Sequence, residues 1–144
     1  MISSMLPSTI SKVKQVENLL AILPQVELPT LHTIHGKVYT RTICLKKDEA
    51  LTSALIRVPT TLVIAGNVIV YTEEGFIEIK GYNVIPASKY RKQIMRAIED
   101  TFITMILETD KNTVEDIEDY FTEESKLLMS RQPEALNKII ITGE

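Results

Sequence analysis

Among the residues able to do chemistry, His32 and His35 stand out, because two imidazoles close in sequence can share a transition metal. They sit in an entry segment flanked by Pro29 with no third ligand nearby, and so read as structural or solvent-facing histidines. Glu99-Asp100 offers two carboxylates, but acid-base catalysis needs groups that converge on a substrate, and neighbours in a turn more simply meet water. Cys44 is the only cysteine, so no intrachain disulfide can form, and a buried thiol in a reducing compartment is expected. Gly-x-Ser-x-Gly, P-loop and Gly-x-Gly-x-x-Gly patterns are all missing. No catalytic, cofactor-binding or metal-binding residue is therefore assigned, and a non-enzymatic protein without a cofactor is the expectation.

Charge clusters point elsewhere. Lys89-Tyr90-Arg91-Lys92 is the densest basic run and contains an aromatic, a combination able to hold phosphate or nucleic acid. Sixteen basic against nineteen acidic residues give a net charge of −3, which supplies no general attraction for a phosphate backbone or an anionic membrane. Nucleic acid is accordingly not the expected partner, and a solvated loop or an acidic neighbouring subunit suits the run better. Glu115, Asp116, Glu118, Asp119, Glu123 and Glu124 provide the complementary charge. Contacts between subunits are thus expected to pair Lys89, Arg91 and Lys92 with Asp116, Glu118 and Asp119.

These side chains need a scaffold, and 144 residues suffice for one ordinary core. A hydrophobic fraction of 44% with 24% charged residues is that of a folding, globular chain. No apolar run approaches the roughly 20 residues that span a bilayer. Met1-Ile2-Ser3-Ser4-Met5 lacks the basic region and apolar stretch of a signal peptide, so synthesis in the cytoplasm is expected.

Ser8 to Leu23 reads as an amphipathic helix, with Ile10, Val13, Val16, Leu19, Leu20 and Leu23 on one stripe between Pro7 and Pro24. From Gly36 to Leu107 the texture becomes short β-favouring runs, predicted at 37–45, 60–65, 68–71, 76–79, 82–85, 93–97 and 101–107. Turns are predicted at Ala65-Gly66-Asn67, Glu73-Glu74-Gly75 and Glu99-Asp100, which together imply an antiparallel meander. On the run 38–45, the face carrying Tyr39, Arg41, Ile43 and Leu45 has more apolar area, so Arg41 requires a partner or a path to solvent. Thr113 can cap a further helix whose stripe is Val114, Ile117, Tyr120 and Phe121. The terminal Lys138-Ile139-Ile140-Ile141-Thr142 is strongly β-favouring and must add to its own sheet or pair with a neighbour, which makes Ile139, Ile140 and Ile141 further contact candidates. Three segments result: residues 1–25 as helix and connector, 26–110 as a β domain, and 111–144 as an acidic helix with a terminal strand.

The stretches Thr61 to Val70 and Glu73 to Gly81 resemble the central hairpins of cupins. Tyr39-x-Arg41, the Gly66 turn, Glu73-Glu74-Gly75 and Arg96 to Thr104, in that order, look like a family of small cupin-like proteins of tailed bacteriophages, over roughly residues 26–122. The resemblance implies a mainly β, antiparallel cupin-like jelly-roll sandwich or barrel of about eight strands, with helices at both ends. Metal-binding cupins hold their ion with histidines and a carboxylate. Here the first-motif region, Thr52 to Thr61, carries no His, Asp or Glu, and Ile98 stands where related proteins often place His.

That departure shapes the functional expectation, namely a metal-free phage structural or accessory protein acting through homo-oligomeric contacts or contacts with other virion proteins. Its expected location is the host cytoplasm on synthesis, then the particle. The alternative is a metal-free small-molecule binder using the sandwich interior, favoured by a deep cavity with polar lining, whereas a filled interior favours assembly. A metal-dependent cupin enzyme would require His32, His35 or acidic residues to converge inside.

Overall fold

The computed structural model describes residues 1–144. Helix α1 (Pro7–Leu20) precedes strands β1 (Thr30–His35), β2 (Val38–Leu45), β3 (Ala50–Thr52), β4 (Thr60–Thr72), β5 (Gly75–Ala87), β6 (Ile94–Ala97) and β7 (Thr101–Glu108). Helix α2 (Val114–Phe121), two single-turn 3₁₀ segments and strand β8 (Asn137–Ile141) complete the chain. The eight strands form one curled sheet in the order β3-β6-β4-β7-β2-β1-β8, with β5 on the remaining edge of β4. All pairings between strands are antiparallel except β1 with β8, which is parallel, so the sheet is mixed rather than wholly antiparallel.

The expected meander gives way to a long hairpin. Residues 60–65 and 68–71 belong to one thirteen-residue strand, as do 76–79 and 82–85, so the predicted turn at Gly66 is absent. Burial along β4 keeps its period of two through the glycine: Leu62, Ile64, Val68 and Val70 all point inward. Burying each such side chain contributes about 1.5–3 kcal/mol, which outweighs the ~0.5–1 kcal/mol cost of a glycine within a strand. The Glu73-Glu74 turn is present, with Thr72 paired to Gly75.

Gly66 marks the place where β4 changes neighbour. Residues 61–65 pair with β7 and residues 68–70 with β6, both on the edge not used by β5. Glu99-Asp100 is thus a corner passing from β6 to β7, not a hairpin turn. Its backbone is tied in where Ile98 N and Glu99 N both donate to the Asn67 carbonyl, at 2.9 and 3.3 Å. This switch lets one hairpin serve both halves of the curl.

Helix α1 starts at Pro7, whose missing N–H would have no partner there anyway. Leu6 supplies no side-chain cap. Glu73 does so from the β4–β5 turn, accepting from Leu6 N at 2.5 Å and the Thr9 hydroxyl at 2.7 Å, which puts a carboxylate at the positive end of the helix. The helix ends at Leu20, short of the expected Leu23, and Gln25 Nε2 donates to the Leu20 and Leu23 carbonyls. It lies on the surface against β3 and buries only Thr9 and Val13, so Leu19 and Leu23 of the expected stripe are exposed. Helix α2 behaves as its sequence suggests: Thr113 Oγ1 accepts from Asp116 N at 3.2 Å. Val114, Ile117 and Phe121 join the same core as the strands, while Tyr120 stays largely exposed.

Candidate functional site

The inner face of the curl is not completely filled. A cavity of about 200 Å³ lies between the sheet, the segment Thr52–Ile56, Phe121 and the chain that follows α2. Its walls include Ile43 of β2, Leu62 of β4, Met95 of β6, and Ile103 and Met105 of β7, all brought inward by strand alternation. Thirteen of the twenty-two lining residues are hydrophobic, and the polar remainder includes Arg41, Arg91, Lys92 and Gln93.

Each polar group has a different standing. Arg41, which the alternation of β2 places inside, finds its partner in Glu118 at 2.8 Å and also donates to Ser130 Oγ at 3.0 Å. Glu118 is 1% exposed and takes a second arginine, Arg131, at 2.7 Å. Burial by itself would raise the Glu118 carboxyl, but hydrogen bonds from Ser130, Arg131 and Arg41 outweigh it and hold the group below the usual carboxylate range. Lys92, also 1% exposed, reaches Glu17 of α1 at 2.8 Å, Glu124 at 2.9 Å and the Ser53 carbonyl at 2.9 Å. One ammonium thereby ties the N-terminal helix to the segment after α2 at the wall of the cavity.

Arg91 differs. It is 1% exposed, donates to the Ser88 carbonyl and the Thr60 hydroxyl, and forms no ion pair with any carboxylate. Burial lowers its pKa to about 10, with no neighbouring charge offsetting the effect. At neutral pH it remains a buried cation. Gln93 is 2% exposed, and its Nε2 has no protein acceptor.

The expected solvent-facing basic cluster is therefore corrected: Lys89 and Tyr90 face water, but Arg91 and Lys92 are interior and cannot reach another subunit. The acidic set is split likewise. Asp116 is exposed and Asp119 meets Arg131 at 2.9 Å, whereas Glu118 is buried between two arginines. Attraction foreseen between chains is satisfied within one, through Lys92 and Glu124. Ile139, Ile140 and Ile141 lie on β8, which pairs only with β1 and is exposed along its length.

His32 and His35 project to opposite faces of β1, which lies in the entry segment of the β domain, where no β run is predicted. His32 is buried, bonded to the Tyr39 hydroxyl at 2.7 Å and Asn137 Oδ1 at 2.8 Å, and burial holds its imidazole below the ordinary value. His35 is exposed beside Thr142. Glu99 and Asp100 face solvent at the corner, and Cys44 is only half-buried.

The sequence places Arg91 among subunit contacts and Gln93 at the start of a β run, but the basic run suggests a surface loop and so hides their interior position. Alternation in β6 accounts for Gln93, which shares the inward parity of Met95 and Ala97, but not for the basic run, where Arg91 and Lys92 are both buried.

No family model and no curated protein matches the chain. Solved structures do. A cupin 2 conserved barrel domain protein from Leptotrichia buccalis is similar at a TM-score of 0.50 and 17% identity, over 64% of this chain and 45% of that one. A cupin superfamily protein from Desulfitobacterium hafniense gives 0.47 and 10%, over 64% and 88%. A cupin-2 domain containing protein from Shewanella frigidimarina gives 0.46 and 10%, over 69% and 98%. The curled eight-stranded sheet, together with the similarity to the Leptotrichia buccalis barrel domain, makes the molecule a mainly β domain of the cupin fold, with a helix before the sheet and another near its end.

The metal that this fold often carries does not suit these residues. Nowhere do three His, Cys, Asp or Glu side chains come together as an ion would require, and the strand residues lining the cavity are mainly aliphatic and thioether groups with Thr30, Arg41 and Thr52. No helix is long and apolar enough to cross a membrane.

Proposed function

We propose that this chain is a non-enzymatic cupin-fold protein whose interior binds a small molecule without a metal. The observation that carries this reading is the 200 Å³ cavity, largely apolar but lined by buried polar side chains. Ligand sites characteristically combine apolar walls with a few fixed polar groups, and a purely structural core would be close-packed there. Lys92 and its two glutamates keep α1 and the segment after α2 closed over one side.

Hexan-1-ol serves as an apolar probe of the interior. Thermal denaturation should show a rise in Tm at millimolar alcohol, and Ala54→Phe, which fills the cavity, should abolish it. Elemental analysis of protein purified without chelators should find iron, manganese and zinc well below one per chain. Stoichiometric metal, or a Tm unmoved by the alcohol, would refute the proposal.

A second reading is favoured by the sheet edges. Strand β8 carries Ile139, Ile140 and Ile141 on a free edge, and the outer edge of β5 is flanked by exposed Phe76, Tyr82 and Val84. Unpaired apolar edges are templates for another chain. Here the protein is an accessory or structural component of a tailed-phage particle, a role supported by the sequence resemblance described above. Native mass measurements should then give a multiple of 16.3 kDa, and Ile140→Lys should return it to monomer. A monomer at ~100 µM would sink this reading while leaving the first intact.

A further inference from the structure

Three cations line the cavity, and only one lacks an anion. Arg41 is matched by Glu118, and Lys92 by Glu17 and Glu124. No carboxylate lies within 4.0 Å of the Arg91 guanidinium. A guanidinium carries five N–H donors in a planar fork, and Arg91 gives two of them to Ser88 and Thr60. Leaving a charge buried and unpaired is costly, and an anion bound in the cavity would offset that cost.

Gln93 adds an independent observation. Its Nε2 is buried without an acceptor, although buried amide groups nearly always have one. Both residues line the same cavity, two positions apart in the chain just before β6. A carboxylate suits that pair, since its oxygens accept from a guanidinium fork and from an amide together. Of the remaining lining, Ile43, Leu62, Met95, Ile103 and Met105 favour an apolar body, and the other two cations, Arg41 and Lys92, are already engaged by Glu118, Glu17 and Glu124.

Resting on the reading of the cavity as a ligand site, we infer that its ligand is a small organic acid with a single carboxylate, taken by Arg91 with Gln93 as second donor. A cavity of about 150 Å³ holds benzene, so one of 200 Å³ accommodates roughly eight non-hydrogen atoms. That is the size of a short aliphatic or simple aromatic acid, and a second carboxylate on it would find no unpaired cation.

Calorimetric titration of the intact chain with hexanoate, hexan-1-ol and inorganic phosphate separates the contributions. Hexanoate should bind at least tenfold more tightly than hexan-1-ol, because a hydrogen bond to a charged group contributes about 1.5–3 kcal/mol, and phosphate should bind far more weakly than hexanoate. Arg91→Met keeps the length of the side chain and removes its charge. It should bring hexanoate down to the affinity of the alcohol, without lowering the Tm of the unliganded protein, since the unpaired cation is gone. Gln93→Leu, a milder change available if the first variant folds poorly, should reduce hexanoate binding about threefold and leave the alcohol unaffected. Equal binding of acid and alcohol to the native chain would overturn the acid assignment and leave the cavity reading standing, whereas failure of both to bind would overturn both. Phosphate binding on a par with hexanoate, or a carboxylate preference that survives Arg91→Met, would likewise overturn it.

Discussion

Replacing Glu118 by glutamine is expected to destabilise the fold by about 3 kcal/mol at pH 7, or ~10 °C in Tm. The carboxylate is 1% exposed and is shared by Arg41 at 2.8 Å and Arg131 at 2.7 Å, with the Ser130 hydroxyl bonded to it as well. Glutamine preserves the shape, but it leaves two guanidinium groups facing a neutral amide whose NH₂ cannot accept from them. The arginines are themselves 15% and 22% exposed, so water recovers part of the loss and the figure falls at the low end for breaking a buried pair.

The pH dependence gives this prediction its sign. Because the folded Glu118 carboxyl titrates below its unfolded value of 4.5, its contribution is complete above that pH and disappears as pH falls through the folded value. The difference in Tm between native chain and variant should therefore be constant at neutral pH and shrink below about pH 4. Glu124, held low against the effect of burial by Lys92 and the Leu55 N–H, loses its contribution in the same acid window in both proteins. The His32 imidazole, pushed below 6.5 by burial, makes stability begin to fall earlier, as pH drops past 6.5 and the unfolded state takes up the proton first. Thermal melts from pH 3 to pH 8 would check all three windows. A difference between native chain and Glu118→Gln that stayed constant into acid would show that the side chain acts by shape rather than by charge.

Gly66→Ala is expected to be comparably damaging, at about 3 kcal/mol or more, because two penalties coincide there. The residue has φ +146°, and a Cβ would stand 2.7 Å from the Asp100 carbonyl oxygen and 2.7 Å from Thr101 Cα, both backbone atoms. Neither can yield without breaking the corner at which Thr101 Oγ1 accepts from Asn67 N. Gly81, the cross-strand partner of Gly66, provides the control. It also has positive φ, at +84°, but nothing lies within 4 Å of its missing Cβ, so Gly81→Ala should cost only the backbone strain, about 1–2 kcal/mol. Urea denaturation of both variants measures the contrast. Equal destabilisation would mean that the close approach of the corner to β4 is not what holds Gly66 in place.

The carboxylate pocket ties these stability effects to binding. Glu118 fixes Arg41, one of the lining cations, and the Gly66 corner fixes the start of β7, which carries Ile103 and Met105 into the cavity. Both variants should consequently weaken hexanoate binding only as far as they loosen the fold, in contrast with Arg91→Met.

Local pattern sufficed for the β texture from Gly36 to Leu107, the two helices, the Thr113 cap, the Glu73-Glu74 turn and the need of Arg41 for a partner. Each rests on alternation or on a side chain bonding its own neighbours, interactions that operate within a few residues and so are written into the order of the chain. The continuity of β4 through Gly66 was legible as well, since Leu62, Ile64, Val68 and Val70 keep a single parity across it, but glycine's association with turns argued the other way. What tertiary structure alone decided was where distant segments meet. Glu73 caps a helix some sixty residues earlier in the chain, Glu118 sits between arginines on opposite sides of it, and β8 returns to pair with β1. The fate of Arg91 belongs here too: a basic run is soluble by composition, and only its docking against Ile56, Thr60 and Ser88 takes it out of water. Burial is a property of the assembled chain, so whether a charge faces solvent or a cavity depends on contacts that no local pattern contains.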